Sequence, residues 1–231
     1  MKLEAHVTVA GTEHKLIHYD VALKYADAGS ATFEVQADAE PKGVVMFESG
    51  YTVGQMHKIF IGYVDKATRL YDKHWKLHCR EICHALKIPL AVSLQHCYLK
   101  DVLGELASAT ALEIITADGK PYTSLQASRF FSTERGDGYY ALKQTARVFN
   151  IPDFAWWQTA AGQVWCGAWA DSLYAANGDI QIDPLLFTKQ QPLSATLPAL
   201  PALRPGMVVN GKRLLFVRHT SDHKTVIRWK S

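Results

Sequence analysis

Seven side chains able to bind a soft or borderline metal, His74, His78, Cys79, Cys83, His84, His96 and Cys97, fall within 24 residues. A structural zinc site needs four such groups to converge, and it usually draws them in pairs at spacings such as C-x2-C. Here three and thirteen residues separate the successive cysteines, and the remaining one, Cys166, stands alone. In HWKLHCR, strand alternation directs Trp75, Leu77 and Cys79 to one side and His74, Lys76 and His78 to the other. The pattern favours small buried cysteines and solvated or hydrogen-bonded histidines over a metal centre.

Other chemistries leave fainter traces. The chain has no G-x-S-x-G elbow, and pairing Cys166 with a distant histidine rests on no motif. It contains neither G-x-x-x-x-G-K-[ST] nor G-x-G-x-x-G, and no H-E-x-x-H helix. The carboxylates Glu134 with Asp137, and Asp171 with Asp179, could serve glycoside cleavage, but the glycines around them suit turns. Phe154, Trp156, Trp157, Trp165 and Trp169 could stack on bases or sugars, yet residues 154–170 contain no Lys or Arg. A groove without cations holds polyanions poorly, so this cluster reads as core or protein interface. The one local positive concentration is Lys212, Arg213, Arg218, His219, Lys224, Arg228 and Lys230, read mostly as the wet face of a hairpin. No catalytic, cofactor-binding or metal-binding residue is assigned, and no cofactor is expected.

The elements that would position these groups are mainly strands. LEAHVTVAG, HKLIHYDVALKYA and SATFEVQAD are separated by turns at Gly11 and Ala28-Gly29-Ser30, and residues 31–37 alternate apolar with polar. GVVMFESG follows, and IFIGYVDKATRL and HWKLHCRE read as antiparallel neighbours about Tyr71-Asp72-Lys73. The period changes near Cys97: Leu99, Val102, Leu103 and Leu106 share a helical face over about 99–110, and Tyr139, Leu142, Ala146 and Phe149 share another, ended by Ile151-Pro152. Between these helices EIITADGKPYTSLQ suggests a short hairpin about Asp118-Gly119. FAWWQTAAGQVWCGAW reads as two strands across Ala160-Ala161-Gly162. Residues 184–206 carry five prolines and read as an irregular connector. Asn210-Gly211 and Ser221-Asp222-His223-Lys224 are turn signals in a closing hairpin pair.

The chain's 231 residues, 48% hydrophobic and 20% charged, describe a globular protein of one or two domains. Its 25 basic and 22 acidic residues leave +3, too little for a dedicated nucleic-acid binder. The opening MKLEAHVTVAGTEHK lacks a signal-peptide core, and no run reaches the roughly 18 apolar residues of a membrane span. A cytoplasmic protein with reduced thiols is expected. Strand-rich ends around a helical middle suggest two related barrels. The fold class expected is α+β and strand-rich, with residues 1–97 as a first β-barrel-like domain, 98–155 as a helix-containing α/β segment and 156–231 completing a second barrel-like domain.

The order of these pieces resembles the baseplate hub proteins of tailed bacteriophages and Mu-like prophages, a family related to the hub part of type VI secretion spike proteins. FIGYVDKATRLYDKHWKLHCREICHAL is similar to that family's strand pair leading into a short helical segment, and YLKDVLGELASATALEI to the helix that follows. YYALKQTARVFNIPDFAWWQTAAGQVWCG resembles its helix-then-hairpin unit. PALRPGMVVNGKRLLFVRHTSD resembles its return to a barrel, with Arg204-Pro205-Gly206 at the entry and a histidine at the exit.

The resemblance implies two tube-like β-barrel domains with an inserted or flanking α/β segment. It implies a homotrimeric ring of six barrels joining the tail tube or distal tail protein to a spike or tail-tip protein, assembled in the host cytoplasm near a tape-measure protein. DNA would pass through the ring without specific binding, so basic side chains should mostly avoid the channel. No enzyme activity is implied, and 231 residues leave little for an attached enzyme. A cell-wall or carbohydrate hydrolase, or a strand-rich binding module using the tryptophans, are the alternatives.

Overall fold

The computed structural model describes residues 2–51, 55–132 and 136–229; Glu134 and Lys230 lie outside the described residues. In chain order the first strands are β1 (Leu3–Val9), β2 (Thr12–Lys24), β3 (Ser30–Gln36), β4 (Val44–Tyr51), β5 (His57–Tyr71) and β6 (His74–Glu81). A middle region follows with β7 (Val92–Cys97), α1 (Leu99–Thr110), β8 (Ile114–Ile115), α2 (Pro121–Ser124), β9 (Ala127–Ser132), α3 (Gly138–Val148), β10 (Phe154–Gln158), β11 (Val164–Ala168) and α4 (Leu173–Ala176). The last strands are β12 (Asp179–Ile180), β13 (Lys189–Gln191), β14 (Ser194–Pro198), β15 (Val208–Val209), β16 (Lys212–Thr220) and β17 (Lys224–Trp229).

Local residue chemistry accounts for most of these boundaries. In β3, Ala31, Phe33 and Val35 are buried while their neighbours reach solvent, the period of two that a half-wet strand requires. The tight turns between β1 and β2 and between β15 and β16 each use two left-handed residues, Ala10-Gly11 and Asn210-Gly211. Paired positive φ matches the twist of the flanking strands. Asp137 caps α3 by accepting a hydrogen bond from the Tyr140 amide at 2.9 Å.

Contacts divide the chain into two compact units, one made of residues 1–82 with 179–231 and the other of residues 83–178. The strand-rich α+β class is as expected, but these limits differ from the division at 97 and 155. The strand pair β10–β11 stays with the helical middle: β11 pairs β10 across Trp157 and Trp165 and takes β8 on its other edge in parallel. Alternation identifies a strand; it does not say which sheet receives it.

Two further expectations are corrected. Residues 113–126 do not form a hairpin: Ile114–Ile115 pair in parallel with Val164–Trp165, and Pro121, whose fixed φ suits a first helical turn, starts α2. The proline-rich tract is not irregular throughout, because Ser194–Pro198 pair along their length with β17 and the prolines fall at strand ends and turns.

The first unit holds a twelve-stranded sheet with the path β1-β4-β5-β6-β3-β2-β16-β17-β14-β13, while β12 and β15 pair beside β16. β1 also pairs β2 through their hairpin. Two apolar clusters lie along this path. Phe33, Phe47, Phe60 and Leu77 centre the first, built by β1–β6; Leu197, Leu214, Val217 and Ile227 centre the second, built by the C-terminal strands. They define a first and a second lobe of this unit. In the second unit Leu99, Leu106, Phe130, Leu142 and Phe149 are fully or almost fully buried.

Candidate functional site

The His/Cys set is dispersed by the fold. His78 is exposed and meets the Thr32 hydroxyl, and the His74 ring lies 4.2 Å from that of Tyr71. His96 is exposed in left-handed backbone, whereas Cys79, Cys83 and Cys97 are buried. No group of three or more His, Cys, Asp or Glu side chains is placed to hold a metal among the described residues. Burial pushes the Cys79 and Cys166 thiols up to about 12. All four cysteines are buried and outside any disulfide, so a thiol reagent in native buffer is expected to label none within minutes. Denaturant should expose four, which a mass spectrum of the labelled chain would count.

The carboxylates serve structure. Asp137 is the α3 cap already described. Asp171 accepts from the Tyr122 hydroxyl at 2.9 Å and pairs with Lys120 at 2.7 Å, which hold its carboxyl below the usual range. Asp179 accepts from the Gly211 amide at 2.9 Å. Trp156, Trp157 and Trp165 are buried; Trp157 stacks on Trp165 and on Tyr174, with centroids 4.6 and 5.0 Å apart. These rings pack the second unit, and Phe154 and Trp169 are half-buried at its margin.

Of the C-terminal basic residues, Arg218 donates to both carboxylate oxygens of Asp20 through Nε and Nη2, Lys224 pairs with Asp222, and Lys212 and Arg228 lie over the rings of Trp229 and Phe216. Arg213 is half-buried. His219 departs from the wet-face reading, because it shares the inward parity of Val217 and is buried.

The most organised polar group of the first unit lies where its lobes meet. There β2 and β16 pair antiparallel, Asp20–Lys24 against Phe216–Thr220, so one sheet runs from lobe to lobe. The Tyr51 hydroxyl donates to the Ala199 carbonyl at 2.7 Å. Buried Arg204, from the second lobe, donates through one nitrogen to the carbonyls of Lys58 and Ile59 on β5, at 3.2 and 2.9 Å. Its charge also acts on two other buried groups, Glu81 and His219. Glu81 accepts from the Gly29 amide at 2.5 Å. A Cβ on Gly29 would stand 2.7 Å from that carboxylate and 2.7 Å from the Ala22 carbonyl, so glycine leaves the room.

His219 meets the Leu203 carbonyl and the Thr225 hydroxyl, each at 3.3 Å. Sequence reading singled out Arg204 only within Arg-Pro-Gly, and it passed over Glu81. Parity was the available signal: Glu81 follows Trp75, Leu77 and Cys79 on the inward face of β6.

These two groups carry opposite pH dependences. Burial raises the Glu81 carboxyl to about 7, against the Arg204 charge and the Gly29 amide, which favour its ionised form. Its contribution to stability is complete below about 4.5 and is lost as pH rises through 7. Burial lowers His219 to about 4, so its contribution is complete above about 6.5 and is lost as pH falls through 4. Between these limits the slopes cancel. Relative to the parent, Glu81→Gln should therefore gain on the order of 3 kcal/mol from pH 4.5 to 7, and His219→Gln should lose a similar amount from pH 4 to 6.5. Urea titrations at stepped pH would show the two signs.

No protein-family model matches the chain. An uncharacterised 58.7 kDa protein of Haemophilus phage HP1 is 26% identical over 229 residues, covering 99% of this chain and 42% of the relative, so the chain spans less than half of that protein. The 43 kDa tail protein of prophage MuSo2 from Shewanella oneidensis superimposes with a TM-score of 0.72 at 8% identity, covering 99% of this chain and 98% of the other. A tail protein of Neisseria meningitidis MC58 gives 0.69 at 13% identity over 100% and 97%. An E. coli component of the type VI secretion system, described as structurally similar to T4 tail proteins, gives 0.60 at 7% identity over 97% and 77%. The chain thus has the fold of phage and prophage tail proteins, shared with type VI secretion components, in agreement with the resemblance carried by its sequence motifs.

Proposed function

We propose that this chain is a structural component of a phage tail, acting as a homotrimeric hub ring between the tail tube or distal tail protein and a spike or tail-tip protein. The observation that carries the reading is the two-lobed sheet, in which β2–β16 pairing and buried Arg204 hold the lobes in one compact unit. Three copies supply six lobes, so a trimer offers near-sixfold geometry to a hexameric tube. The two lobes stand for the barrel-like domains, and residues 83–178 for the inserted α/β segment. A tape-measure protein is the expected neighbour during assembly, and the virion tail the final location.

The channel needs cations that do not capture phosphates, and Arg218 and Lys224 are already matched by Asp20 and Asp222. No described helix is long and apolar enough to cross a membrane. The role requires no catalysis, and the purified chain is expected to leave peptidoglycan uncleaved. Sedimentation and electron microscopy of the chain, alone and with its tail-tube protein, should show threefold rings. A monomer under both conditions would overturn the proposal.

A further inference from the structure

We propose that Asn177 is a hydrolytic modification site of the folded chain, converting to aspartate and isoaspartate through the Gly178 nitrogen, and that the fold withholds the same reaction from Asn210. The sequence holds two Asn-Gly pairs, Asn177-Gly178 and Asn210-Gly211. In each, glycine puts no side chain in the way of its own nitrogen, which can attack the asparagine Cγ and close a succinimide ring. The attacking nitrogen gives up its proton, Nδ2 departs as ammonia, and water then opens the ring. Opening at the side-chain carbonyl gives aspartate. Opening at the main-chain carbonyl gives isoaspartate, in which the chain continues through the side chain. No electron is transferred, and water is the co-reactant. The attack needs Cγ and the glycine nitrogen to swing into contact, so whatever holds these atoms apart sets the rate.

Asn210 is held at both reacting groups. Its Oδ1 accepts from the Ile182 amide at 2.8 Å and its Nδ2 donates to the Ile182 carbonyl at 2.9 Å, so the side-chain amide serves both polar groups of one backbone residue. The Gly211 N–H donates to the Asp179 carboxylate at 2.9 Å, and a negative charge there disfavours loss of the amide proton. The partners are themselves anchored. Ile182 is buried in the apolar cluster of the second lobe, and β15, which Asn210 follows, is paired by β12 on one side and β16 on the other. For Cγ to reach the Gly211 nitrogen, these three hydrogen bonds must be given up together.

Asn177 has no such restraint. It follows α4, a single turn of four residues, which is too short to persist by its own hydrogen bonds. Asn177 and Gly178 are exposed, and the Asn177 side chain makes no hydrogen bond among the described residues. Nothing lies within 4 Å of a Cβ built on Gly178. The Gly178 N–H donates to the Ala175 carbonyl at 3.2 Å, a bond of that same turn, and opening of the turn releases it. Gly178 is the last residue of the second unit, and Asp179 begins β12 of the first. The product therefore alters the covalent link between the units, adding a negative charge beside Asp179 and, as isoaspartate, an extra backbone carbon.

Peptide mapping by mass spectrometry tests this on the full chain, folded and sampled over days in warm, mildly alkaline buffer. Asn177 is expected to convert at least about tenfold faster than Asn210, the factor supplied by one hydrogen bond at the upper end of its net worth. In urea that unfolds the chain, the two rates should converge to within a few-fold. Ion exchange should show a more acidic species growing in the parent but not in Asn177→Gln, whose longer side chain closes the corresponding ring far more slowly. Asp179→Ala, with a thermal melt matching the parent, should speed conversion of Asn210 several-fold by releasing the Gly211 nitrogen. Equal rates at the two sites in the folded chain, or a gap that survives in urea, would overturn the role given to the fold. Asn177 left intact in the folded chain while urea converts it would overturn the site. A slower Asn210 in Asp179→Ala would make that carboxylate a proton acceptor and overturn the restraint.

Discussion

Arg204→Ala is expected to destabilise the first unit by about 3–5 kcal/mol, the range for removing one partner from a buried charged group. The substitution withdraws the donor from the carbonyls of Lys58 and Ile59 and leaves Glu81 buried without the cation that favours its ionised form. The Glu81 carboxyl should move further upward, so the loss should be larger at pH 8 than at pH 5. Arg204→Lys should recover only part, because a compact, strongly hydrated ammonium on a flexible stem is costlier to bury than the delocalised guanidinium. Combining Arg204→Met with Glu81→Gln should recover most of it, since both charges then leave the interior together. Urea unfolding at the two pH values checks each point, and equal losses for the single and double variants would remove Glu81 from the account.

Gly62→Ala is expected to cost about 3 kcal/mol or more, at the upper end of overpacking effects. A Cβ there would lie 2.0 Å from the Arg80 carbonyl oxygen and 2.5 Å from the ring of Phe60. Gly62 sits between β4 and β6, opposite Val45 and Glu81, so neither neighbouring strand can withdraw without breaking its ladder. Gly104 provides the contrast. It is exposed within α1, with nothing within 4 Å of an added Cβ. Gly104→Ala should stabilise the second unit by about 0.5–1 kcal/mol, the ordinary helical preference of alanine over glycine. Calorimetry of both variants against the parent would show midpoints moving in opposite directions.

What the sequence makes legible is governed by range. Hairpins such as β5–β6 and β16–β17, the span of α1 and the left-handed Asn210-Gly211 turn depend on neighbours a few residues away, and periodicity with turn chemistry finds them. The pairing of Ile114–Ile115 with Val164–Trp165 joins residues fifty apart, and two apolar positions have no period to read. The same reason hid that both ends of the chain build one unit while residues 83–178 form another.

At the lobe junction the difficulty is chemical. Glu81 and His219 sit at inward positions of correctly read strands, but charged residues are seldom fully buried, so composition alone sends them to the surface. Parity contradicts composition at both sites, and parity agrees with the structure. The dispersed His/Cys set is the converse case: on β6 alternation separates His74 and His78 from Cys79, and the other four members lie outside that strand.

The pairing of β2 with β16 also sets an order of events during synthesis. Val21 and His219 become neighbours across the ladder although almost two hundred residues separate them, and the entire second unit is translated in between. Until β16 leaves the ribosome, the edge of β2 at Asp20–Lys24 waits without its strand. Loop closure over such a distance is slow and makes the seam a late step of folding. The nascent first lobe therefore passes through an interval in which an uncovered strand can be captured by another chain, and the timing of translation becomes part of how the junction is made correctly.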